Sequence, residues 1–192
     1  ATEVALLYIE SFSDPRRFSR VARRVGREMP IVVVKSGRSA AGQRATSSHT
    51  GALIAASDVT ADALFDQAGV IRTESLAELL DVASLLANQP LPQGGRVGIV
   101  TNAGGPGIMC ADACEAAGLD LPELSDETIA ALGALLPAEA STANPVDMLG
   151  GADEDSYGKA LNLVLADPTC DGVLAILVPQ VLVNPAKVVH AV

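Results

Sequence analysis

Short apolar runs alternate with segments of helical periodicity along the whole chain, and this alternation constrains the fold more than any other feature. Residues 4–9, 31–35, 70–73, 96–101 and 173–178 are runs of aliphatic, largely β-branched residues too short to be buried helices. Helix-patterned segments separate them, over 15–28, 58–67, 75–87, 107–117, 126–136 and 153–166, with a last helix starting near Pro185. A further short strand is predicted near 119–121, and an irregular loop holds Asn144-Pro145. Strands divided by helices pair in parallel, with crossovers that put helices on both sheet faces. The chain reads as α/β.

The run Asn88-Gln89-Pro90-Leu91-Pro92-Gln93-Gly94-Gly95 interrupts the pattern, which restarts beyond it. Two units follow, residues 1–92 and 93–192. Neither is a complete sheet pattern: the first opens mid-pattern, and the second stops in a helix with no strand after it. The hydrophobic share of 49% against 19% charged residues excludes a disordered chain. The longest apolar stretch, 172–183, is broken by Pro179 and Gln180 and falls short of a bilayer span. Cys110, Cys114 and Cys170 form no CxxC pair and are too few for a disulfide framework, so they read as small apolar residues in a reducing compartment. The first charge is Glu3, with no basic segment before it, which does not suit a secretory signal. Cytoplasmic localisation is the expectation.

Charge is unevenly spread. The chain's net charge of −10 argues against nucleic acid as the main partner. Residues 1–44 nevertheless hold nine basic and four acidic residues, while 45–192 hold four and nineteen. Most of the basic excess lies on one segment. Asp14-Pro15 reads as an N-cap followed by proline at the first helical position. Phe18, Val21, Ala22 and Val25 then form one apolar stripe, with Arg16, Arg20, Arg23, Arg24 and Arg27 on the opposite side. Such a face is either simply solvated or a docking surface for an acidic domain or chain.

In parallel sheets ligands gather beyond the carboxyl ends of the strands. Three polar features fall there. Glu10 ends the first strand. Lys35-Ser36-Gly37-Arg38-Ser39 leaves the second and runs on to Ser47-Ser48-His49-Thr50-Gly51. Thr101-Asn102-Ala103-Gly104-Gly105-Pro106-Gly107 leaves the first strand of the second unit. His49 sits among hydroxyls and glycines, with no apolar packing signal. A lone loop histidine is more often inert than catalytic, but Glu10 leaves the neighbouring sheet position. A carboxylate accepting from one ring nitrogen fixes the tautomer and leaves the other nitrogen nucleophilic. Ser47, Ser48 and the Gly51 amide are then candidate holders of a phosphoryl group. Asn102, Gly104, Gly105 and Gly107 are candidates on the second loop, where glycines admit an anion to a helix N-terminus. That loop is neither the dinucleotide fingerprint nor a P-loop, and a plain tight turn is the alternative. No second histidine or Cys/Asp cluster stands at ligand spacing, so no metal site is predicted. His190, in the last helix, has no assigned role.

Five motifs in order carry a resemblance: Tyr8-Ile9-Glu10-Ser11, Val34-Lys35-Ser36-Gly37-Arg38, Ser47-Ser48-His49-Thr50-Gly51-Ala52-Leu53, Thr101 to Gly107, and Asn144-Pro145-Val146-Asp147. Together they resemble the NDP-forming (ADP-forming) acyl-CoA synthetases, relatives of succinyl-CoA synthetase, over nearly the whole chain. The resemblance implies two flavodoxin-like units of the succinyl-CoA synthetase type, the first bearing the phosphohistidine. It implies that His49 is phosphorylated during turnover, that Glu10 orients it, and that 102–107 open a helix whose N-terminus faces the phosphohistidine. The implied reaction joins a carboxylic acid, CoA and NTP into acyl-CoA, NDP and phosphate. CoA, ATP or ADP with Mg2+, and phosphate are the implied cofactors, bound mostly outside this chain. CoA-binding and ATP-grasp domains, in the same chain or a partner subunit, are the implied partners, in an oligomer that binds neither nucleic acid nor membrane. One departure stands at Ile54-Ala55-Ala56, where the family carries a glycine. A non-catalytic acyl-CoA-sensing region of a protein lysine acetyltransferase is the alternative, in which the reactive histidine is often lost. Retention of both Glu10 and His49 favours the ligase.

Overall fold

The five residues Ile31–Lys35 are all buried, and the first half of the protein is organised around them. The structure is a computed structural model that describes residues 2–39, 41–42, 58–180 and 184–191. It divides into two units, residues 1–91 and 92–192. Ser47, Ser48, His49 and Gly51 lie outside the described residues.

In the first unit, β1 (Ala5–Ile9), β2 (Ile31–Lys35) and β3 (Ile71–Thr73) form a parallel sheet in the order β1-β2-β3. The register sets Ile9 beside Lys35 and Val34 beside Thr73. Alternation along β2 divides the core. Ile31 and Val33 pack with Ala22 of α1 (Pro15–Val25) and with Ala61, Phe65 and Ala68 of α2 (Asp58–Ala68). Val32 and Val34 face the other way, onto Leu79 of α3 (Leu76–Asn88). Phe12, Phe18 and Phe65 meet edge-on or tilted at 5.1–5.9 Å between ring centres, an arrangement aromatic quadrupoles favour.

In the second unit, β4 (Val97–Thr101) lies between β5 (Val146–Asp147) and β6 (Gly172–Ile176), all parallel. Helix α4 (Gly104–Ala116) packs along one side of β4, where a Cβ on Gly107 would lie 3.0 Å from Thr101 Cγ2. α5 (Asp126–Leu135) and α6 (Glu154–Leu165) share the other side with Val100, Val146 and Met148, and α7 (Pro185–Ala191) adds Val188. At Gly98 any Cβ would fall 2.5 Å from Val164 of α6, so only glycine lets strand and helix approach this closely.

Three expectations are corrected. The strand predicted near 119–121 is a single bridge between Arg96 and Asp120, because Pro122 has no N–H to extend a ladder. The helix predicted from 107 begins at Gly104, its glycines being helical rather than a separate turn. The helix predicted to 28 stops at Val25, where the Gly26 N–H closes on the Ala22 carbonyl. The Asn144-Pro145 loop also runs into β5, two residues that pair with β4 at Val100 and Thr101. Among the described residues no helix is long and apolar enough to cross a membrane.

Candidate functional site

The carboxyl end of β4 is held open by side chains that act as backbone. Asn102 is 1% exposed, and its amide closes a two-bond ring with Val178: Nδ2 donates to the Val178 carbonyl, and the Val178 N–H donates to Oδ1, both at 2.8 Å. The ladder between β4 and β6 stops at Thr101 and Ile176, so this ring adds a rung beyond it. The Ala103 N–H is taken up by Thr101 Oγ1 at 3.1 Å. Tyr157 of α6, buried, donates its hydroxyl to the Ile176 carbonyl at 2.9 Å. Burial pushes its phenol up to about 12, Asp147 adds to that, and a hydrogen bond from the Asn102 backbone opposes it. Tyr157 therefore stays protonated and can act as a donor throughout the physiological range.

Helix α4 starts where this turn ends. Its N-cap is Ala103, which offers no capping oxygen. By contrast α1, α3, α5 and α6 are each closed by a side chain, from Asp14, Ser75, Ser125 and Asp153. Helix geometry leaves the first amides without partners inside the helix. At α4 these are Gly104 and Gly105, since Pro106 has no N–H and the Gly107 N–H returns to the Ala103 carbonyl at 3.2 Å. Space above Gly105 is open, with nothing within 4 Å of a Cβ built there. Two directed amides at the positive end of a helix dipole suit an anion. Asp147 stands at one side: a Cβ on Gly104 would lie 2.8 Å from its Oδ2, while its Oδ1 accepts from the Leu149 N–H at 3.0 Å. Leu149 itself has φ 67, in the left-handed region that β-carbon sterics disfavour.

Asn144 fixes the approach to Asp147 from beneath. Its Oδ1 accepts from the Ile99 N–H at 2.9 Å, and its Nδ2 donates to the Val97 and Pro122 carbonyls. Asn144, Asp147 and Tyr157 carried no assigned role in the sequence reading. The first two lie inside a recognised motif, a signal that could have found them; Tyr157 has no such signal.

In the first unit, Glu10 directly follows β1, and the Ser36 N–H that leaves β2 bonds back to the Ile9 carbonyl at 3.0 Å. Glu10 and the start of the loop toward His49 thus exit neighbouring strands at the same edge. Lys35, buried, donates Nζ to the Ser36 carbonyl. Gly37 turns the chain at φ 71, which glycine adopts without strain. Arg38 then pairs with Asp58 and Glu74, and Arg72 with Asp58 and Asp62. Burial raises the Asp58 carboxyl, but Arg72 and Arg38 outweigh it and hold the group below its ordinary value. Among the described residues no three His, Cys, Asp or Glu side chains gather as a metal site.

Two domain families match. Residues 1–86 fit the succinyl-CoA ligase like flavodoxin domain, and residues 97–191 the ligase-CoA domain. The chain is 43% identical over 192 residues to acetate–CoA ligase [ADP-forming] I of Archaeoglobus fulgidus, covering 100% of this chain and 28% of that protein. It is 42% identical over 185 residues to the alpha subunit of acetate–CoA ligase [ADP-forming] II of Pyrococcus furiosus, covering 96% of this chain and 40% of that one. In structure it is similar to the dinucleotide forming acetyl-coenzyme A synthetase 1 of Ca. Korarchaeum cryptofilum in complex with phosphate and ADP. That match has a TM-score of 0.91 and 32% identity, over 99% of this chain and 41% of the other. The chain thus spans less than half the length of each of these relatives.

Proposed function

The chain belongs to the NDP-forming acyl-CoA synthetase family, relatives of succinyl-CoA synthetase, and from that premise we propose that it forms the phosphohistidine-bearing part of an acid–CoA ligase. The observation that carries this reading is the alignment of all or nearly all of this chain with part of the ADP-forming acetate–CoA ligases. The reaction is acid, CoA and NTP going reversibly to acyl-CoA, NDP and phosphate.

His49 is the nucleophile. One ring nitrogen forms a bond to the terminal phosphorus of the nucleotide as the bond to the NDP oxygen breaks. Glu10 accepts the N–H of the other ring nitrogen, fixing the tautomer and balancing the charge of the phosphorylated ring. Ser47, Ser48 and the Gly51 amide take phosphoryl oxygens in the first unit. In the second unit the amides of Gly104 and Gly105 stabilise a phosphoryl or acyl phosphate group, with Asn102 and Gly107 holding those amides in place. Attack of a carboxylate oxygen on the phosphohistidine regenerates His49 and gives an acyl phosphate. The CoA thiolate then displaces phosphate to give the thioester. Dividing one condensation into transfers is covalent catalysis, and phosphoryl transfer asks mainly for positioning and charge stabilisation.

CoA-binding and ATP-grasp domains, in the same polypeptide or a partner subunit, supply the thiol and the nucleotide with its Mg2+. The described residues offer no cluster for that ion. The cytoplasm is the compartment that suits three unpaired cysteines and these substrates.

The test uses the full-length protein, incubated with Mg-ATP and read by intact mass and peptide mapping. An acid-labile phosphate on His49 is expected, lost in His49→Asn and reduced about tenfold or more in Glu10→Gln as the tautomer is released. Absence of phosphate on His49 while CoA still binds would overturn the reading.

A further inference from the structure

Six arginines stand on or just beyond α1: Arg16, Arg17, Arg20, Arg23, Arg24 and Arg27, all exposed. Among the described residues none of them meets a carboxylate, whereas Arg38, Arg72 and Arg96 are all ion-paired. Arg23 alone makes a side-chain bond, from Nε to the Gln67 carbonyl. Two of the six, Arg16 and Arg17, occupy the first turn of α1, which contains no acid. Positive charge there opposes the helix dipole, although Arg23 and Arg24 in the last turn suit it.

The second unit carries the mirror image. Between Arg96 and Lys159 the chain has no lysine or arginine. The acids Asp112, Glu115, Asp120, Glu123, Asp126 and Glu127 in that interval are all exposed, and none is ion-paired among the described residues. Asp112 and Glu115 stand in the C-terminal half of α4, whose last turn has no basic residue. Negative charge there again has the wrong sign for the helix that bears it. Each helix thus carries charge that an isolated helix disfavours, and the two charges are complementary. Arginine, rather than lysine, suits the role because its planar fork pairs two-pronged with carboxylates and sheds water readily.

We propose that the arginine face of α1 docks on the acidic surface formed by the C-terminal half of α4 and the segment leading into α5 of a second copy of this chain. Charge complementarity within one sequence is the argument for a second copy over an unrelated polyanion.

The test is sedimentation velocity on the full-length protein with two charge-reversed variants. One is Arg16→Glu/Arg17→Glu/Arg20→Glu, the other Asp112→Lys/Glu115→Lys. Both place favourable charge at the helix end concerned, so neither weakens its own helix. In about 20 mM salt the unaltered protein should sediment as the larger assembly, and raising salt to about 0.5 M should weaken association tenfold or more by screening. Each variant alone should sediment as the smaller species even at low salt, because its two surfaces now repel. An equimolar mixture should restore the larger assembly, since each reversed surface then meets its complement. An unaltered protein insensitive to salt, a variant that still assembles, or a mixture that fails to reassemble would each overturn the proposal. In the last case the face would belong to a polyanion other than this chain, with nucleic acid the first to try by gel shift.

Discussion

The two units share one plan, three parallel strands between helices, but reach opposite solutions for handling charge. The first unit has ten basic and ten acidic residues; the second has three and thirteen. The acid-rich unit nevertheless carries the uncapped helix N-terminus, built from glycine amides rather than cationic side chains. The comparison teaches that a patch of outward amide charge need not follow a unit's net charge. Two oriented amides act at contact distance, while most of the unit's acids are exposed and screened by solvent; half-buried Asp147 beside Gly104 is an exception. In the first unit, positive charge is spent on ion pairs around Asp58 and on the outward face of α1.

The sharpest way to separate the units is to damage one core. Phe65→Ala removes the ring shared by Phe12 and Phe18 and should cost about 4 kcal/mol. Calorimetry should then show the first unit's transition falling while the second unit's stays. A single transition that shifts as a whole would mean the units unfold as one.

Next in size is the pinning of the second unit's strand ends. Asn102→Ala leaves the Val178 N–H and carbonyl without their partner, a loss of about 2–3 kcal/mol confined to the second unit. Denaturant titration checks it, and an unchanged midpoint would remove Asn102 from the account of the site.

Acid should also divide the units. Burial pushes the Asp167 carboxyl up, but hydrogen bonds from Thr128, Thr169 and Ser125 outweigh it and leave the group well below its ordinary value. A carboxyl depressed in the folded state stabilises above the unfolded pKa of about 3.9 and loses that contribution as pH falls toward the folded value. Asp58 is shifted the same way, but it is more exposed, and of the two arginines that hold it Arg38 faces solvent while Arg72 is largely buried. The second unit's melting temperature should therefore fall more steeply below about pH 4 than the first's, and Asp167→Asn should flatten its slope. Equal slopes in the Asn variant and the parent would show that Asp167 is not the group responsible.

The smallest contrast lies within one turn. Gly105→Ala meets open space and should be neutral or stabilising by up to about 1 kcal/mol. Gly104→Ala drives a methyl into Asp147 and should destabilise the second unit, as thermal melts of the two variants would reveal. If both alanines behave alike, Asp147 does not press on Gly104.

The alternation of apolar runs is enough to read α/β and nearly every helix, because short aliphatic runs, buried on both faces in β2 and nearly so in β4, stand apart from the 3.6-residue period of the helices between them. What escaped it was short or made by side chains. β5 has two residues, too few to show a period, and the Asp120 bridge has one. Glu10 and the 102–107 turn could be placed at strand ends from sequence because chain order puts them there. The contacts of Asn144 and Tyr157 could not, since their partners, Ile99 and Ile176, lie 45 and 19 residues away. Only the folded sheet brings such pairs together. His49 and its neighbours are fixed by their motif alone, and their geometry lies outside the described residues.

The Asn144 amide has a consequence for solubility. On the side of β4 away from β6, β5 covers only Val100 and Thr101. Left bare, the Val97 carbonyl and the Ile99 N–H would form a template on which a strand from another molecule could extend the sheet. A side-chain amide offers the same donor and acceptor as a peptide group, so Asn144 occupies both positions without adding a strand that would itself need covering. In the folded molecule one asparagine thereby works as a stopper on the growth of the sheet at this aliphatic strand.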